Sequence, residues 1–533
     1  MAKQTKQPSI PSTSLFPFVP GVVNHRFTGL ALAASYFIVM LFVGLRYHLV
    51  GDYGVETDFY WSYVPQARHI LQGTIPIEDF HGPAYPSVLA AIALFTRDLF
   101  HAGVVLSTLS AAAALYFIFQ LFKNLFRPDI ALVVFLLVAA NATFVQYTYT
   151  AGTDMLFMAL VTGSTYFFLK DGEHHRRRVV IAALLSAVAY LTRYNGVFVV
   201  VAVPAAILLA NPFEQLMKER LRTAALFLGV FFLATAPWGM YCLAEKGSFF
   251  YSKNYLNIAY EMFAKGKIGW DQYWSVEAQR FTSLRQVIFA DPGLFVATLL
   301  RNLFEHAVDD LGKLVGWQTG VFSVSGIVLY VVAERPSARV ASYFILALAF
   351  FGVLLLVFYG ERFSLFLLPV YVALALRTLT WQKLAEFRFW KTIQIGGLAA
   401  FVLLIWTGAN SYRFNKTNID SGPQEVVSIA QWFEQAVGRS ESGKIIISRK
   451  PHIAYYLDMQ MQLFPYVNTY EELIAEVKKV NASYLYFGLM EAGMRPQFQS
   501  LLDPSKAPPE LRPLTYTSYP PAVLYKVELR PAQ

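Results

Sequence analysis

The 533-residue chain has one cysteine, Cys242. No intramolecular disulfide can form, so any exported part has to fold on packing alone. Charge is scarce as well: 15% of residues are Asp, Glu, Lys or Arg, against roughly 25% in soluble domains. That deficit excludes an ordinary soluble globule. No cleavable leader is expected in the opening segment either. The opening "MAKQTKQPSIPSTSLFPFVPGVVNHR" is polar and Pro-rich and lacks the charged, apolar and small-residue order of a signal peptide, so the first apolar helix is expected to stay as an anchor. The apolar runs carry almost no ionisable residue at their centres. Ion-coupled transporters place acids or histidines there, so a polytopic lipid or oligosaccharide flippase or exporter is the weaker alternative.

What the chain has instead is apolar and aromatic surface. Hydrophobic residues make up 56%, aromatics 16%, and the mean hydropathy is +0.43. Expected spans are 27–49, 102–122, 130–147, 155–169, 179–191, 197–210, 224–242, 314–332, 340–359, 363–376 and 392–408. Together they make about eleven crossings of a hydrocarbon core ~30 Å thick. The net charge of +9 falls mostly in "KNLFR", "KDGEHHRRR", "NPFEQLMKERLR", "ERPSAR" and "RTLTWQKLAEFRFWK". These are short loops on one side, as the positive-inside rule requires, and no nucleic-acid partner is needed to explain them. The same rule decides an ambiguous apolar piece, 84–100, which ends in Arg97-Asp98. Were it a span, "HHRRR" would face outward, so it is expected to be interfacial or re-entrant.

The fold class expected is therefore an α-helical polytopic membrane protein with a small C-terminal α/β domain. Residues 1–26 are expected to be cytoplasmic, 27–412 to form the membrane domain with outer loops 50–101 and 243–313, and 413–533 to form an extracytoplasmic domain. In that tail "PQEVVSIAQWFEQAV" and "YEELIAEVKKV" have helical periodicity, while "KIIISR", "SYLYFG" and "AVLYKVEL" read as strands. The expected location is the inner (plasma) membrane.

Ionisable residues gather where spans meet the outer surface. "GVETDFYWSYVPQA" holds Glu56 and Asp58 among four aromatics. Asp58 is either an N-cap for the helix that follows or a carboxylate facing outward, able to act as a general base. Asp154 in "YTAGTDMLFMAL" offers the same pair of readings. Arg193 in "LTRYNG" and Arg362 in "GERFSLFLLP" sit at outer span ends. There they either snorkel to the interface or grip a phosphate with two hydrogen bonds. "IPIEDFHGPAYP" supplies Glu78, Asp79 and His81, and "RNLFEHAVDDLGKL" supplies Glu305, His306, Asp309 and Asp310. Glu78, Asp79, His81 and His306 are the candidate ligands of a divalent metal ion, though their spacing matches no specific metal signature.

Taken in order, these features resemble a known family. A first span leads to an acidic motif running into Tyr63, Ala67 and Leu71, and then to "GPAYP". Thr153-Asp154 opens a later span, Thr192-Arg193 ends another, and "ERFSLFLLP" and "ISRKPHIAYYLDM" follow. The order resembles the type C glycosyltransferases that use polyprenyl-phosphate sugars. Within them it is most similar to bacterial relatives of the protein O-mannosyltransferases and of the lipid A aminoarabinose transferase. The resemblance implies Asp58 as catalytic base, Asp154 assisting in the same cavity, and His81 touching the donor phosphate or a metal ion. Arg193, Arg362, His81 or a metal would then carry the charge of the departing lipid phosphate. The implied substrates are a membrane lipid donor and an exported glycan, lipid or protein acceptor. Two departures stand out: Phe59 follows Asp58 where the family has an Asp-Glu pair, and Tyr63 sits one place late. Glu56 is therefore the alternative base.

Overall fold

The computed structural model describes Val23 and residues 25–333, 335–389 and 393–528, so most of the polar N-terminal segment lies outside it. The described chain is mostly helical. Helix α1 (Thr28–Tyr47) is followed by a loop and the two short helices α2 (Val64–Leu71) and α3 (Ala84–Thr96). Helix α4 (Leu99–Leu125) then starts the central bundle, which continues through α5 (Asp154–Leu169), α6 (His175–Thr192) and α7 (Met217–Lys246). After further helices, α8 (Ile395–Asp420) leads out of the bundle.

Among the described residues four runs are long and apolar enough to cross a bilayer: α1, α4, α7 and the stretch from Ile395 to Ala436. Two bent pairs, Pro128–Ala139 with Ala142–Tyr149 and Leu284–Ala290 with Pro292–Leu314, raise the number to six. The other apolar helices, such as Tyr194–Ala210 and Ala338–Leu354, have 10–17 residues, short of the roughly 20 that an upright span uses. Length and composition thus support four to six crossings, against the eleven expected. The piece at 84–100 is α3, only 13 residues long. It stops where Arg97 turns left-handed at φ 60°, and Asp98 caps α4 by accepting from the His101 amide at 2.7 Å.

Packing inside the bundle uses small and hydroxylated side chains rather than charge, as expected where lipid removes the hydrophobic drive between helices. Helix α4 lies against α1 and α5, and α5 against α6. Between the last two, the Ser164 hydroxyl reaches the Ser186 hydroxyl at 2.8 Å and donates to the Ala182 carbonyl at 2.9 Å. Ile38, Val39 and Phe42 on α1 are about 60% exposed or more, as a lipid-facing stripe requires.

The C-terminal part is a five-stranded mixed sheet. Its strands are β1 (Ile445–Ser448), β2 (Gln460–Leu463), β3 (Tyr484–Gly488), β4 (Leu511–Ser518) and β5 (Pro521–Val527), in the order β2-β1-β3-β5-β4. Strand β1 is parallel to both neighbours, with Ile446 opposite Met461 and Tyr484. Strand β5 is antiparallel to β3 and β4. The sequence signalled β1, β3 and β5. It did not signal the exposed edge strands β2 and β4, whose apolar content is diluted by Gln, Arg and Thr.

Side chains alternate across β3, as the pleat dictates. Tyr484 and Tyr486 pack under helix α9 (Gln424–Ala436), while Leu485 and Phe487 pack under α10 (Tyr470–Lys479). A helix on each face buries β3 completely. Val50 and Tyr53 of the loop after α1 join the α9-side core, which seats the domain directly on the segment that carries Asp58.

Candidate active site

The loop after α1 is tied down by a buried acid. Glu56 is fully buried. It accepts hydrogen bonds from His48 Nε2 at 2.7 Å, from the Asp52 amide at 2.7 Å and from the Ala151 amide at 2.5 Å. These bonds join the end of α1, the loop that follows it and the loop ahead of Asp154. Glu56 therefore braces the site from behind and does not line its cavity.

Asp58 opens a single π-helical turn, Phe59–Tyr63, that feeds α2. Such turns displace a helix face and recur at functional sites. The Asp58 carboxylate makes no capping bond. It faces a cavity of about 620 Å³, with 48% of its side chain open and its Oδ2 accepting from Arg362 Nη2 at 3.4 Å. Burial pushes this carboxyl up, but Arg362, His81 and Arg193 together hold it below the ordinary aspartate value. At neutral pH it is a carboxylate.

Asp154, the first residue of α5, makes no cap either. It is ion-paired with Arg193, whose Nη1 also donates to Thr153 Oγ1 at 3.3 Å. Arg193 and Arg362 stand over the same ring, Phe363, at 5.3 and 4.9 Å, an arrangement that fixes both guanidinium planes. The cavity wall thus brings together Asp58, Asp154, Arg193, Arg362 and His81, all five named from sequence.

His81 is held by its neighbours. Glu78 Oε2 accepts from the backbone amides of Phe80 and His81 at 2.7 and 2.8 Å and lies 3.1 Å from His81 Nδ1. The imidazole packs edge-on to Tyr63 at 4.8 Å. Gly82 makes this approach possible, because a Cβ there would lie 2.0 Å from the Leu191 carbonyl oxygen at the end of α6. The proposed metal ligands are not gathered. Asp79 is bound to Lys253 Nζ at 2.7 Å and to the Tyr251 hydroxyl at 2.5 Å. His306 is buried on a separate helix (Pro292–Asp309) with its ring against Tyr359. Among the described residues no group of three His, Cys, Asp or Glu side chains could hold a metal ion. The donor set does not fit such an ion, because Asp79 is taken by Lys253 and Tyr251 and His306 lies on a separate helix, which leaves only Glu78 and His81 side by side.

Sequence reasoning missed the far wall. Asp271, in the stretch between α7 and the helix Pro292–Asp309, takes Arg449 Nε at 2.9 Å and Arg495 Nη2 at 3.1 Å, both from the C-terminal domain, and all three line the cavity with Trp270 and Trp274. Arg449 lies in "ISRKPHIAYYLDM", the stretch that carried the resemblance. Nothing around Arg495 marks it, because its partner is 224 residues away in sequence.

Residues 80–241 match the family model described as dolichyl-phosphate-mannose-protein mannosyltransferase. The match takes in His81, Asp154 and Arg193 but neither Asp58 nor Arg362. Compared with curated proteins by sequence, the chain matches none. In three dimensions it is similar to ArnT from Cupriavidus metallidurans bound to undecaprenyl phosphate, with TM-score 0.60 and 12% identity, over 94% of this chain and 98% of that one. It is also similar to the Archaeoglobus fulgidus oligosaccharyltransferase AglB in complex with an inhibitory peptide and a dolichol-phosphate. There the TM-score is 0.56 and the identity 15%, over 88% of this chain and 70% of that one. The fold is the one shared with these two structures, a mostly helical domain of apolar helices with a small sheet domain at its C-terminal end.

Proposed function

We propose that this chain, a membrane protein of the type C glycosyltransferase fold, moves a sugar from a polyprenyl phosphate to an exported acceptor. Transfer takes place at the outer surface of the inner membrane, with the C-terminal domain on the same side. The observation that carries this reading is the cavity in which ionised Asp58 meets Asp154, Arg193, Arg362 and His81. The undecaprenyl phosphate on ArnT and the dolichol-phosphate on AglB support a lipid-phosphate donor.

The chemistry follows from the placement. The donor's polyprenyl tail stays among the helices while its phosphate and sugar enter the cavity. An acceptor oxygen attacks the anomeric carbon and gives its proton to Asp58. The bond from that carbon to the phosphate oxygen breaks on the opposite face, its electron pair leaving with the lipid phosphate, so the configuration inverts. Arg193 and Arg362 take up the charge that develops on the leaving group, the kind of preorganised stabilisation worth most where water is excluded. Arg193 is held by Asp154 and both guanidinium groups stand over the Phe363 ring, so they are in place before the donor arrives. Asp58, paired only at 3.4 Å, remains free to accept a proton, a role worth about 10²–10⁴ in rate.

Lipid and glycan mass spectrometry of a deletion strain tests the reading. The expected result is an accumulated polyprenyl-phosphate sugar together with an acceptor lacking one residue. Accumulation of a complete, unmoved glycolipid on the inner face would instead favour a flippase.

A further inference from the structure

Beside Arg495, which meets Asp271 from the far wall, one short segment of the C-terminal domain reaches the loop that carries Asp58. Strand β1 ends at Ser448, and the turn Arg449–Lys450–Pro451 leads into a single helical turn, His452–Tyr456. Every polar side chain of that segment reaches the membrane part. Arg449 binds Asp271. His452 Nε2 lies 3.2 Å from the Asp52 carbonyl oxygen, and its ring packs edge-on to Tyr53 at 4.8 Å and tilted against Tyr60 at 4.5 Å. The Tyr455 hydroxyl donates to Asp98 at 2.8 Å, and the Tyr456 hydroxyl meets that of Tyr60 at 3.2 Å.

Lys450 differs from these in what it holds. Its ammonium donates to the Tyr53 carbonyl at 2.6 Å and to Thr57 Oγ1 at 2.8 Å, while Thr57 Oγ1 itself donates to the Tyr53 carbonyl at 2.6 Å. Three groups close a small ring of hydrogen bonds around the turn 53–57, and the next residue is Asp58. Glu56 clamps the same turn from the membrane side through His48, Asp52 and Ala151.

We infer that Lys450 is a positioning residue for Asp58, so that the docked C-terminal domain is part of the transfer site rather than an appendage to it. The inference rests on the reading of Asp58 as the base. The domain stays docked through Arg449, His452, Tyr455 and Tyr456 whether or not Lys450 is present. What Lys450 adds is the direction of the Asp58 carboxylate, and orientation of a reacting group is where small displacements cost most.

The test uses the full-length protein reconstituted in lipid, with membranes of a deletion strain supplying the acceptor. Lys450→Met is expected to lower the maximal transfer rate about tenfold or more. The half-saturating donor concentration should change less than twofold and the melting temperature should hold. Lys450→Arg, which keeps the charge and the donors, should recover part of the rate. Lys450→Met at the wild-type rate overturns the inference. So does a parallel loss of rate, donor affinity and melting temperature that Lys450→Arg does not rescue. Asp58→Asn, run alongside, separates the two readings: an active Asp58→Asn overturns the assignment of the base, whereas an inactive one beside a fully active Lys450→Met overturns only the role of Lys450.

Discussion

Gly82→Ala gives a sharp test of how the site is assembled. The added Cβ would lie 2.0 Å from the Leu191 carbonyl oxygen, 2.6 Å from its carbon and 2.9 Å from its Cα. Ordinary contact begins at 3.4 Å, so the loop and the end of α6 have to separate by about 1.4 Å. Both obstacles are backbone, and neither can rotate away. The displaced groups are the ones that matter, because His81 precedes Gly82 and Arg193 is two residues beyond Leu191. Overpacking of this kind costs about 1–3 kcal/mol, and a misplacement near 1 Å costs on the order of 10² in rate. The expected result is a modest fall in melting temperature with a disproportionate fall in transfer, measured with the reconstituted protein on membranes from a deletion strain. Wild-type transfer and wild-type melting together would refute the reasoning, since they would mean that the His81 loop does not ride on the end of α6.

Other substitutions test separate parts of the site. Asp58 is held below its ordinary value by Arg362, His81 and Arg193 against the opposing effect of burial, so its ionised form persists as pH falls and is lost only below the ordinary aspartate range. Arg362→Met removes the largest of the cationic influences, and the acid limb of the pH–rate profile should move to higher pH, with a rate loss of about 10²–10³ at neutral pH; an unmoved limb contradicts the pairing. Glu56→Gln should destabilise the fold by about 1–3 kcal/mol, because one of its two accepting oxygens is lost from a buried position, whereas Asp58→Asn should leave the melting temperature nearly unchanged. Thermal unfolding of the two variants therefore distinguishes brace from base. Asp271→Asn removes the counter-charge of buried Arg495 and half-buried Arg449, so stability should fall, and amide exchange along 449–456 should accelerate in that variant.

Hydropathy and loop charge made the helical membrane class legible, because both act through the solvent and need no partner. The paired wall of the site was legible in part. Asp58, Asp154, Arg193, Arg362 and His81 each sit where an apolar run meets the surface, and polar residues at such positions are conspicuous against a greasy background. Glu56 misled as the alternative base because composition cannot tell a carboxylate that faces a cavity from one saturated by two backbone amides and a histidine. The metal reading drew on Glu78, Asp79 and His81 as neighbours in sequence, yet the fold turns Glu78 back onto its own loop and hands Asp79 to Lys253. The Asp271 cluster was invisible for a different reason. Its members come from three segments far apart in the chain, and only the docking of the sheet domain makes them neighbours. The same docking gives "ISRKPHIAYYLDM" its meaning, since that stretch is a surface by which the domain grips the loop after α1.

Asp58 is the group that takes the acceptor's proton in the proposed sugar transfer from a polyprenyl phosphate. The decisive measurement is mass spectrometry of envelope glycans and lipids in a deletion strain carrying Asp58→Asn at the wild-type protein level. The lipid-linked sugar is expected to accumulate and the acceptor to stay one residue short, as in the strain with no protein at all. A complete acceptor and a normal pool of lipid-linked sugar would contradict it.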